Sequence, residues 1–205
     1  MIILGISYEK FESKILDDIM KLGIHKDTLE LYEHNIMWKE IAKDTIKELK
    51  EIFGFIAIDI QHIGSTAINN IRAKPIIDIV VGISNFTDFN SLKEKLAHRE
   101  YIYRPFKVDD ELLMKGNMET NTRTHYIHVV IHNSKQWNNQ INFRDYLNFH
   151  IKEAKEYEKL KIKLFKDNQS NIIDYQEGKN EYIEKIIKKA NIWRMKNIVK
   201  SQTST

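Results

Sequence analysis

The chain contains no cysteine, which excludes disulfide staples and thiolate metal sites, so any metal must be held by His, Asp or Glu. Two prolines and seven glycines in 205 residues are too few for a disordered or low-complexity chain. No run approaches the ~18 apolar residues that a bilayer-spanning helix needs. The apolar start, Met1 to Ile6, is shorter than the roughly 7 to 15 residues of a secretory core and is followed by Glu9, Glu12, Asp17 and Asp18. The net charge of +3 is mild and its signs are interleaved, so composition carries no nucleic-acid footprint. These absences lead to the expectation of a soluble cytoplasmic protein with no membrane partner.

What is present suits one folded core, with 42% hydrophobic and 30% charged residues. Phe11, Ile15, Ile19 and Leu22 fall at helical spacing, which predicts a helix over residues 8–22 that Gly23 ends. Thr28 to Tyr32 alternates as a short strand, and Trp38, Ile41, Thr45, Leu49 and Ile52 mark one face of a second helix. Strands are predicted over Phe55–Ile63 and Ile76–Ile83. Thr87 or Asp88 can cap a helix through Leu96, and Tyr101–Met118 supplies one or two less regular strands. His125–His132 reads as a strand with Tyr126, His128, Val130 and His132 on one face. Helices follow at about 138–150, 151–167 and 175–195. The division expected is a helical extension over 1–26, a domain over 27–192 and a basic polar tail over 193–205. Six basic residues between Lys185 and Lys200, with no acid among them, either complement a helix C-terminus or meet an acidic partner.

The densest chemistry lies in His62-Ile63-Gly64-Ser65-Thr66-Ala67 and Lys74-Pro75-Ile76-Ile77-Asp78-Ile79-Val80-Val81. A Gly-Ser turn between strands can meet a phosphate, or simply form a tight turn with a helix cap. A carboxylate within an apolar strand is costly to desolvate unless a cation or donors compensate it, so Asp78 is either paired with Lys74, Arg123 or Arg144, or functional. His125, His128 and His132 cluster on one strand, and each can equally be a core histidine with its hydrogen bonds satisfied.

These segments resemble the signature of the GrpB family, small bacterial proteins of the nucleotidyltransferase-like superfamily. Arg123-Thr124-His125-Tyr126-Ile127-His128, Phe143-Arg144-Asp145-Tyr146-Leu147, Tyr157-Glu158-Lys159-Leu160-Lys161 and the pair Tyr175 and Lys179 extend the resemblance over residues 22–190. It implies an α/β (α+β) fold: a mixed sheet with flanking helices and a C-terminal helical part, to which this chain adds its N-terminal helix.

The resemblance also implies a nucleoside triphosphate or another phosphorylated small molecule as partner, with a divalent metal, Mg²⁺ or Mn²⁺ with Zn²⁺ as an alternative. Gly64, Ser65, Thr66, Lys74 and Arg144 would then bind phosphate, Asp78, His128 and His125 would hold metal, and Asp78 and His128 would be catalytic. The superfamily pattern of two acids separated by one residue is broken, because Val80 stands two after Asp78. Three readings remain open: a mixed site of Asp78 and histidines, a phosphate-binding fold that transfers nothing, or a carboxylate from Asp59, Asp109, Asp110, Glu111 or Glu119 completing the site. The corresponding functions are a metal-dependent phosphoesterase acting through the histidines, a binding module, and nucleotidyl transfer. Lys161 and Lys179 read as solvated helix residues.

Overall fold

The computed structural model describes residues 2–3, 6–7, 22–107, 110–168 and 171–203. The helix expected over residues 8–22 lies outside these, apart from Leu22. The short strands β1 (Ile2–Ile3) and β2 (Ile6–Ser7) pair with each other. All other strands form one six-stranded sheet: β3 (Ile24–His25), β4 (Ala57–Ile63), β5 (Ile77–Ile83), β6 (Ile102–Lys107), β7 (Asp110–Asn117) and β8 (Thr122–Ile131).

Along the sheet the order is β4-β5-β8-β7-β6, with β3 joined to β8. Only β5 and β8 run parallel; the other pairs are antiparallel, so the sheet is mixed. Tyr101–Met118, irregular in sequence, resolves into a β6–β7 hairpin with a register shift near its tip. The strand expected at Thr28–Tyr32 is reduced to one bridge, between Tyr32 and Ala73.

Helix α1 (Met37–Phe53) places Trp38, Leu49, Ile52 and Phe53 against one face of the sheet, where they meet Ile77, Ile79, Val81 and Ile83 of β5 and Ile127 and Val129 of β8. Two short helices, α2 (Phe86–Asn90) and α3 (Lys93–Ala97), add Phe89 and Leu96 to the same layer. The cap of α2 is Asn85, whose side chain accepts from the Asp88 N–H at 3.0 Å; its extended backbone leaves the shape for capping, which Thr87 and Asp88, already inside the helix, lack.

The opposite face is covered by α4 (Lys135–Phe149), which packs Trp137 and Ile141 on Ile63, Val80 and Val130. Helices α5 (Ile151–Asp167), α6 (Ile172–Glu177) and α7 (Asn180–Thr203) follow, and Tyr146, Ala154, Tyr157, Ile186 and Ala190 make a second apolar cluster with Ile68 and Ile71. α7 runs well past residue 192, and two of its basic residues are paired, Lys189 with Glu153 at 2.5 Å and Arg194 with Asp145 at 3.3 Å. Among the described residues no helix is long and apolar enough to cross a membrane. β5 is thus buried on both faces, and Asp78 is its one charged residue.

Candidate functional site

Asp78 leaves the β5 strand on the face opposite α1, since Ile77 and Ile79 beside it point into the α1 layer. The turn leaving β4 lies directly over it. Gly64 holds φ +71°, a region L side chains rarely adopt, and a Cβ there would stand 2.2 Å from Asp78 Oδ2. Only glycine lets the chain pass this close to the carboxylate.

The segment after the turn is clamped by the helical part. Asn148 of α4 accepts from the Asn69 N–H and donates to the Ala67 carbonyl, each at 2.9 Å. Glu158 of α5 accepts from the Arg72 N–H at 2.7 Å, and Lys161, one turn on, donates to the Arg72 carbonyl. The contacts that anchor the loop therefore also draw Lys161 inward, where it is 2% exposed.

Between turn, strand and helices lies a cavity of about 110 Å³ lined by Ser65, Lys74, Ile76, Asp78, Tyr126, Lys161, Tyr175 and Lys179. Three lysines thus face one carboxylate. The Nζ atoms of Lys74 and Lys179 lie 4.8 and 4.3 Å from the centre of the Tyr175 ring, and Lys161 Nζ lies 4.8 Å from that of Tyr157. Aromatic faces attract ammonium groups and hold these stems in place.

Burial dominates the titration of this cluster. It lowers Lys161 to about 7, aided by repulsion from Lys179 and opposed by Glu158. It lowers Lys179 to about 8, aided by Lys74 and opposed by Asp78, and it lowers Lys74, again against Asp78. It raises Asp78 to about 6, while His128, Lys179 and Lys74 pull it down. The Tyr157 phenol is pushed up to about 12 by burial, against a hydrogen bond from Ser65. Burial is the first cause at all three lysines, and the opposing carboxylates, Asp78 at Lys74 and Lys179 and Glu158 at Lys161, offset it only in part.

The structure gathers Gly64, Ser65, Lys74 and Asp78 at this cavity and separates other residues expected there. Thr66 is buried elsewhere, its hydroxyl donating to the Ile76 carbonyl at 3.2 Å and lying 2.9 Å from His62 Nε2. Arg144 is turned away: Nε and Nη2 donate to Asp145 Oδ1, Nη1 donates to the His62 carbonyl at 2.8 Å, and the residue lines a separate hollow of about 340 Å³ with Lys39, Lys43 and His62. His125 pairs in register with Ile77, which puts it on the α1 face, across the sheet from Asp78. There Nε2 lies 3.1 Å from the Thr45 hydroxyl and Nδ1 2.8 Å from that of Thr124, so the structure corrects its assignment as a metal ligand beside Asp78. His132 packs edge-on against Trp137.

His128 does share the Asp78 face, two residues beyond Tyr126. Its Nδ1 lies 3.1 Å from Oδ2 of the buried Asp110, which also accepts from Gln136 Nε2 at 2.5 Å. Of the acids considered as completing the site, Asp110 is engaged with His128 and Glu111 accepts from the Tyr103 hydroxyl, while Asp109 lies outside the described residues. Among the described residues no group of three or more His, Asp or Glu is arranged to hold a metal ion.

The comparisons with known proteins agree on one family. The model described as GrpB protein matches residues 28–189. The glutamate-rich protein GrpB of Alkalihalophilus pseudofirmus is 36% identical over 170 residues, covering 81% of this chain and 98% of that one. The UPF0157 protein YqkA of Bacillus subtilis is 32% identical over 171 residues, covering 82% of this chain but only 49% of YqkA. Among solved structures, the crystal structure of the conserved protein GrpB from Enterococcus faecalis matches with a TM-score of 0.74 at 28% identity, over 80% of this chain and 99% of that one.

Proposed function

This chain belongs to the GrpB family, and we propose that it binds the phosphate end of a phosphorylated small molecule in the cavity between Gly64-Ser65 and Asp78. The observation that carries this reading is the gathering of Lys74, Lys161 and Lys179 around a single carboxylate in one small cavity. An entering anion adds negative charge beside the three lysines, accepts hydrogen bonds from the ammonium groups and raises their lowered pKa values again. The Ser65 side chain adds a polar wall at the turn.

Size narrows the ligand. At about 110 Å³ the cavity falls below the roughly 300 to 1,000 Å³ typical of whole-ligand pockets. It corresponds to about four waters at ~30 Å³ each, room for a phosphoryl group but not for an entire nucleotide.

A divalent cation does not fit this donor set. Mg²⁺ or Mn²⁺ needs several oxygen ligands, whereas among the described residues Asp78 is the only carboxylate lining the cavity, and three lysines line it too. Val80, at the place of a second acid, is fully buried against Trp137 and Ile141. Binding is therefore the function that the arrangement supports.

Calorimetric titration with inorganic phosphate at pH 7 tests this. Wild type is expected to bind saturably, and Lys179→Met at least tenfold more weakly, a loss of about 1.4 kcal/mol. Absence of saturable binding to wild type would refute the proposal.

A further inference from the structure

Phosphate binding uses the cavity lysines as cations and leaves their chemistry as amines unused. The three are not equivalent. Lys161 is 2% exposed and donates to the Arg72 carbonyl, so its nitrogen is committed to anchoring the loop. Lys74 and Lys179 are partly exposed and reach the same ring, their Nζ atoms lying 4.8 and 4.3 Å from the centre of Tyr175. Two ammonium groups against one ring repel each other, and loss of a proton from either relieves the repulsion.

Position singles out Lys179 as the one that yields. It stands immediately before Asn180, the first residue of the 24-residue α7, and its carbonyl accepts from the Ile183 N–H at 2.9 Å. A helix N-terminus carries the positive end of the macrodipole, which disfavours an ammonium there and favours a neutral amine. Burial and the neighbouring Lys74 act in the same direction and lower Lys179 to about 8, against Asp78. Lysines made neutral by burial or by a neighbouring cation are the ones that attack carbonyl carbons. The cavity also supplies what such an attack needs: Lys74 and Lys161 as cations for an anionic end, and Asp78, raised to about 6 by burial, as an acid for the departing oxygen.

Resting on the phosphate reading above, we infer that Lys179 captures the carbonyl carbon of a small phosphate-bearing aldehyde or ketone as an imine. The Nζ lone pair bonds to the carbonyl carbon, and the carbonyl oxygen leaves as water with one proton from Nζ and one from the Asp78 carboxyl. The product is a protonated imine facing the Asp78 carboxylate, and no oxidant or reductant is consumed. A cavity of about 110 Å³ admits only a short chain between phosphate and carbonyl.

The test treats the full chain with glycolaldehyde phosphate, or with unphosphorylated glycolaldehyde, in the presence of cyanoborohydride, which reduces an imine to a stable amine. Intact mass and peptide mapping then count and place the adducts. A single adduct on Lys179 is expected, formed roughly tenfold faster or more with the phosphorylated aldehyde, because its phosphate holds the carbonyl in place, and slowed by inorganic phosphate. Lys179→Arg, which keeps the charge without the nucleophile, should lose this adduct while its thermal unfolding stays cooperative. If inorganic phosphate binds by calorimetry but adducts fall on other lysines, or form equally fast with both aldehydes, the inference is overturned and the phosphate reading stands. If neither phosphate binding nor a Lys179 adduct is found, both are overturned.

Discussion

Gly64 lies against Asp78 so closely that an added Cβ would stand 2.2 Å from the carboxylate Oδ2 and 2.8 Å from the Asp78 Cβ. Backbone and carboxylate are in direct contact, and the contact sets the shape of the cavity mouth. Gly64→Ala must therefore both adopt an unfavourable φ and displace the strand side chain, at a cost of about 1–3 kcal/mol for the backbone conformation alone. Chemical denaturation should show that loss together with weakened phosphate binding; a variant as stable as wild type would contradict the geometry.

Lys161 titrates at about 7 in the folded chain, against about 10.4 for an unperturbed lysine. Between these values the unfolded chain holds a proton that the folded chain has released, so this residue makes stability rise with pH across that window. Below about pH 7 both states are protonated and the slope vanishes. Urea unfolding of wild type and Lys161→Met at several pH values should show wild type gaining on the variant from about pH 7 to 10. A difference independent of pH would show that Lys161 is not buried as described.

His62 and His125 are both lowered to about 4, burial being the first cause and nearby cations adding to it, with Glu48 opposing at His125. Their unfolded values are about 6.5, so the unfolded chain binds more protons between roughly pH 4 and 6.5, and stability is lost as pH falls through that range. Asp78, raised to about 6, acts in the opposite direction over much of the same window. Comparing wild type with His125→Gln cancels the contribution of Asp78, and the variant should lose less stability on acidification. An equal loss would contradict the buried, neutral state of His125.

Phosphate affinity should fall as pH rises from about 7 to 9, because Lys161 and Lys179 lose their protons there. For one coupled proton the fall is roughly tenfold per pH unit at its steepest. Titrations across this range check the sign, and affinity that rises with pH would count against the lysine cavity.

Gly64-Ser65 and Asp78 were legible in the sequence because a glycine turn and a lone acid in an apolar strand are local departures from pattern. The strand alternation of β8 was legible too, and it separates His125 from His128, but a cluster of histidines on one strand obscured that distinction. Lys161 and Lys179 were not legible as site residues, since a lysine on a helix is ordinarily solvated. What buries them is tertiary: α5 binds the Arg72 backbone through Glu158 and Lys161, and the turn after α6 carries Lys179 onto the Tyr175 ring. The available signal was spacing, Tyr157 with Lys161 and Tyr175 with Lys179, each pair four residues apart and so on one helical face. The resemblance implies Arg144 as a phosphate binder, whereas in the fold the neighbouring Asp145 and the His62 carbonyl hold its guanidinium away from the cavity.

If lysines make the cavity around Asp78 an anion site, titration of wild type and Asp78→Asn side by side with inorganic phosphate, with and without EDTA, shows it. Asparagine keeps the shape against Gly64 and removes the negative charge of Asp78, so both proteins should bind, Asp78→Asn more tightly, and EDTA should change neither. Loss of binding in Asp78→Asn, or in wild type with EDTA, would contradict the anion site and make Asp78 a metal ligand instead.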